Sequence, residues 1–119
     1  MSIHTTPEDH ELVRSQLLLT LALTVFERDK SAITSALKTP GPYVDAIDRA
    51  MDEVSAELKR TRAAMRKRGV KVYEETRSDK DVKVRFLCRG YHDNITMLWS
   101  YVGAEVGKLM RKYLGVQRS

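Results

Sequence analysis

The chain has 119 residues, a formal net charge of +5, an isoelectric point near 9.5 and one cysteine. This length holds one hydrophobic core, so a single domain over residues 1–119 is expected. Apolar (42%) and charged (31%) fractions are ordinary for a globular protein. Six Gly and three Pro argue against disorder. The lone Cys88 excludes an internal disulfide framework and favours a reducing compartment.

The N-terminal run Met-Ser-Ile-His-Thr-Thr-Pro-Glu-Asp has no basic leader region, so a cytoplasmic location is expected. A first helix is predicted from Thr6 as cap and Pro7 at the first helical position. Glu8, Asp9 and Glu11 suit the positive end of its dipole. Its longest apolar stretch, Gln16 to Phe26, is too short to span a bilayer, and no transmembrane segment is expected. Apolar residues cover more than half of this helix surface, which places it at the centre of the fold or in a dimer interface. A break is expected near Asp29–Ser31, and Thr39-Pro40-Gly41-Pro42 ends the helix.

Pro42 opens a second helix with a heptad-like seam: Val44, Ile47, Met51, Val54, Leu58, Thr61 and Met65. Gly69 is its C-terminal stop. Its polar face begins with Asp45, Asp48, Asp52 and Glu53, then turns basic with Lys59, Arg60, Arg66 and Lys67. After Gly69 the period becomes two. Val70, Val72, Val82, Val84, Phe86 and Cys88 face inward, and Lys71, Tyr73, Lys83, Arg85 and Arg89 outward, about a turn at Arg77-Ser78-Asp79-Lys80. Gly90 closes the second strand. Asp93 or Asn94 is predicted to cap a last helix with the stripe Ile95, Leu98, Trp99, Val102, Val106, Leu109, Tyr113 and Leu114.

The expected fold is therefore α+β and mostly helical, in the order α-α-β-β-α: two long helices, a two-stranded antiparallel β-hairpin and a C-terminal helix. The order over residues 42–114 resembles the layout of winged-helix regulators. The long unbroken second helix departs from that layout and no signature motif supports it, so the chain is not assigned to that family.

The positive charge is concentrated. Residues 59–91 hold twelve Lys and Arg against four Asp and Glu, whereas residues 1–58 hold five against ten. Phosphates need cations spread over a surface, and an aromatic beside them can stack on a base. The leading expectation is a small non-catalytic DNA- or RNA-binding protein, a homodimeric regulator. Lys59, Arg60, Arg66, Lys67, Lys71, Lys83, Arg85 and Arg89 would contact phosphate, with Tyr73 beside them. The alternative is a dimeric helical adaptor whose basic surface docks on an acidic protein partner. Plainer causes are a helix end that favours cations and an edge strand that uses lysine against unwanted pairing.

Catalysis is the least expected class. His4, His10 and His92 lack metal-ligand spacing, and Cys88 lies on an inward strand face, so neither metal nor cofactor is expected. The carboxylates of the second helix form a solvated face, and no glycine-rich phosphate loop is present.

Overall fold

The computed structural model describes residues 4–116. Helix α1 (Pro7–Ala36) begins at Thr6, whose hydroxyl accepts from the Asp9 N–H (3.2 Å). The Asp9 carboxylate accepts from the Thr6 N–H (3.0 Å), closing a capping box. No break occurs near Asp29–Ser31; the helix is continuous to Ala36. The absence of Gly or Pro in this stretch is consistent with that continuity.

Helix α2 (Gly41–Arg68) returns antiparallel after a short Pro-Gly connection. It stops at Gly69, whose φ of 69° is a left-handed conformation that a side chain would strain. Ile47, Val54, Leu58, Thr61 and Met65 of the seam are buried, and Ala50 joins them.

The sheet corrects the expected hairpin. Strands β1 (Val70–Arg77), β2 (Asp81–Cys88) and β3 (Tyr91–Leu98) form a three-stranded antiparallel sheet in the order β1-β2-β3, and helix α3 (Trp99–Leu114) follows. The order is α-α-β-β-β-α. Asp93 and Asn94 lie within β3 opposite Phe86 and Arg85, and neither caps a helix. Arg89 and Gly90 form a two-residue reversal with φ of 51° and 89°, the backbone signs of a type I′ turn. Beyond it, Ile95 and Met97 are buried while Leu98 is 58% exposed, a period of two that is hard to tell from a helical stripe in so short a run. A third strand also supports a hairpin that would be marginal by itself.

The apolar side chains of α1 pack within one chain. Val13, Leu17, Leu18 and Ala22 pack with the inner sheet face and with Val102 and Val106 of α3. Leu19 and Phe26 pack with Ile47, Ala50, Val54 and Leu58 of α2. Among the described residues no helix is long and apolar enough to cross a membrane.

Candidate functional site

A β-bulge shapes the outer face of the sheet. The register of β1 against β2 shifts between Val72 and Glu74, leaving Tyr73 as the extra residue. Upstream, Val70 and Val72 oppose Cys88 and Phe86 on the inner face. Downstream, Glu75 and Arg77 oppose Val84 and Val82 and so face the helices. Tyr73 keeps to the outer face. Its hydroxyl shares a hydrogen bond with His92 Nδ1 (3.0 Å), so the side chain crosses β2 to reach β3. The two rings meet edge to face, with centroids 5.5 Å apart.

Cross-strand pairing places the remaining groups. Lys83 stands opposite Thr96 and Arg85 opposite Asn94, with Lys71 opposite Leu87. Tyr73, Lys83, Arg85, His92, Asp93 and Asn94 line one open polar groove of about 430 Å³. Of the expected contact residues, the structure thus unites Tyr73, Lys83 and Arg85, with Lys71 on the same sheet face. His92 and Asn94 join them from β3, the strand that stands where the sequence predicts a helix cap.

Other expected residues are engaged or lie elsewhere. Arg60 pairs with Glu57 on the surface of α2 (2.6 Å). Lys59, Arg66 and Lys67 are exposed on α2 and do not line the sheet groove. Arg66 instead joins Arg62, Gln16 and Lys71 in a second groove of about 210 Å³ between the helices and β1. Arg85 lies 3.7 Å from Glu74, a loose and exposed pair that leaves the guanidinium accessible. Lys71 and Lys83 have no ion-pair partner among the described residues.

Arg89 is a structural residue. It donates to Asp9 Oδ2 (2.8 Å), to the Arg68 carbonyl (2.8 Å) and to the His4 carbonyl (2.7 Å). Arg68 donates to the other oxygen of the same carboxylate (2.8 Å), and the Cys88 thiol donates to Oδ2 (3.2 Å). Asp9 is fully buried. Burial by itself raises a carboxyl pKa, but the hydrogen bonds from Arg89, the Thr6 N–H, Arg68 and Cys88 outweigh it and hold Asp9 well below the usual carboxylate range. Burial, with Asp9 beside it, pushes the Cys88 thiol up, which disfavours the nucleophilic thiolate. Among the described residues, no group of three or more His, Cys, Asp or Glu could hold a metal ion.

Comparison with known proteins gives a family and no activity. A curated Bacillus subtilis (strain 168) relative, "Uncharacterized protein YhjD", is 29% identical over 108 residues, covering 90% of each chain. No solved structure matches the chain. A family profile described as "YhjD protein" matches residues 4–118, so the chain belongs to the YhjD family.

Proposed function

We propose that the protein binds single-stranded nucleic acid on the outer face of its sheet, without catalysis. The observation that carries this reading is the convergence of Tyr73, Lys83, Arg85, His92 and Asn94, with Asp93, on one open groove; Lys71 stands outside it, opposite Leu87 on the edge strand. An uncovered antiparallel sheet with an aromatic laid across it offers a stacking platform. Cations beside that platform follow the phosphates, and the Asn94 amide and His92 imidazole offer hydrogen bonds to base edges.

Three cations on the face set the scale. Lys71, Lys83 and Arg85 would release about two to three counterions on binding a single strand, so log affinity should fall with log salt at a slope of about −2. Fluorescence anisotropy with labelled single-stranded DNA and RNA measures both affinity and slope. The double variant Lys83→Glu, Arg85→Glu is expected to abolish binding with an unchanged circular dichroism spectrum. Tyr73→Ala is expected to weaken binding by about tenfold through lost stacking. Unchanged affinity in the folded double variant would remove the sheet face from consideration.

The second reading is an adaptor that docks on an acidic protein through the same cations. It uses the charge but not the exposed Tyr73–His92 pair, which favours the first. Nuclease-treated protein that shows no affinity for either nucleic acid, yet is retained by an acidic polypeptide, would favour the adaptor.

A further inference from the structure

Helix α2 carries a second pattern one position beyond its buried seam. Asp45, Asp48, Asp52, Lys59, Arg62 and Arg66 follow the seam residue by residue and form a single exposed stripe. The acids occupy one half and the bases the other, with the small exposed residues Ser55 and Ala56 between them. Asp52 and Lys59 are 7 residues apart, Asp48 and Arg62 are 14, and Asp45 and Arg66 are 21. All three pairs are centred at or next to the Ser55–Ala56 bond.

The helix dipole does not account for this arrangement. Its influence is confined to the first and last turns, whereas Asp52 and Lys59 lie deep inside a helix of 28 residues. Internal neutralisation does not account for it either. Among the described residues, only Asp48 of the six has an ion-pair partner, Lys30 of α1 at 2.9 Å. The other flank of α2 meets α3, where Arg49 donates to the Leu114 carbonyl (3.2 Å). The stripe borders α1 at both ends, through the Lys30–Asp48 pair and where Arg62 and Arg66 line a groove with Gln16.

We infer that this stripe is an interface for a second copy of the chain, packed antiparallel about a two-fold axis through Ser55–Ala56. Such an axis sets residue i opposite the residue equally far beyond the centre. Asp52 then meets Lys59 of the copy, Asp48 meets Arg62 and Asp45 meets Arg66, and symmetry makes each contact twice. A parallel arrangement would oppose like charges and is disfavoured. Ser55 and Ala56 at the crossing let the backbones approach closely. The α1–α2 pairs of the two copies would form a four-helix layer. This inference does not depend on what the sheet face binds.

An interface of exposed ion pairs along about 30 Å of helix is modest and sensitive to salt. Sedimentation velocity of the full chain is expected to show a monomer–dimer equilibrium at low salt that shifts toward monomer as salt rises. Asp52→Lys and Lys59→Asp are each expected to weaken the dimer at least tenfold. Combining them in one chain restores it. Mixing the two single variants is expected to yield a heterodimer, since each supplies the charges that the other lacks. Circular dichroism confirms folding of these surface variants. A wild-type monomer at all salts, a dimer indifferent to the single reversals, or single variants that fail to combine would each overturn the inference. The Lys83→Glu, Arg85→Glu variant should dimerise normally, which separates this interface from the sheet reading.

Discussion

Asp9 has no exposed surface, yet four groups donate to it: the Thr6 N–H, the Arg68 and Arg89 guanidinium groups and the Cys88 thiol. It joins the start of α1, the end of α2 and the β2–β3 turn at one point. Removing one partner from a buried, hydrogen-bonded ion pair is costly, because the remaining charge has nowhere to go. Asp9→Asn would place an amide NH₂ against a guanidinium and is expected to destabilise the protein by about 3 kcal/mol at pH 7, measured by urea denaturation. The folded carboxyl ionises well below its ordinary value of 3.8, so the unfolded chain takes up a proton first as pH falls. Wild-type stability should therefore be fully present above that value and decline on the acid side. The variant should lack this share of the decline. The Thr6 cap was legible, since Thr-Pro-Glu-Asp is a local signal. The burial of Asp9 was not, because its partner Arg89 lies 80 residues away. Arg89 consequently looked like any other outward cation.

At the scale of elements, the two long helices were legible, apart from the expected break near Asp29–Ser31, whereas the third strand and the start of α3 were not. Caps, stops and the α2 seam are written in residues three or four apart, and these spacings survive in the structure. Residues 95–99 fit two periods at once. Ile95, Leu98 and Trp99 make a helical stripe, while Ile95 and Met97 make one face of a strand. Pairing with β2 decided the matter, aided by the Arg89–Gly90 reversal. The structure is tested by contrasting two positions. Ile95 is buried and Leu98 is 58% exposed. Ile95→Ala is expected to cost about 2–4 kcal/mol and Leu98→Ala less than about 1 kcal/mol in thermal or urea unfolding. Equal, large losses at both positions would favour a helix over a strand. The bulge at Tyr73 was equally hidden: strict alternation keeps Glu75 outward, whereas the register shift turns it toward α1.

At the scale of the molecule, helix α1 runs through two apolar clusters, one under the sheet and one against α2. Leu109 and Met110 of α3 touch both. Elements shared in this way couple the two ends, so one cooperative transition is expected. Urea curves from far-ultraviolet circular dichroism, which follows the helices, and from Trp99 fluorescence should coincide. Trp99 reports on the sheet end because its indole N–H donates to the Ser78 carbonyl (2.7 Å) in the β1–β2 turn. Separated curves would indicate two folding units. By itself the sequence determined the two long helices, the cap at Thr6 and the stop at Gly69, the buried seam and the segregation of charge, because all of these follow from residue types and spacing within a few turns. Only the tertiary structure decided that β3 completes the sheet, that Arg89 serves Asp9, and that Tyr73, Lys83, Arg85, His92 and Asn94 share one groove. Each of these depends on which distant strand or helix a residue faces, and that choice is made by pairing and packing across the chain rather than by any local pattern.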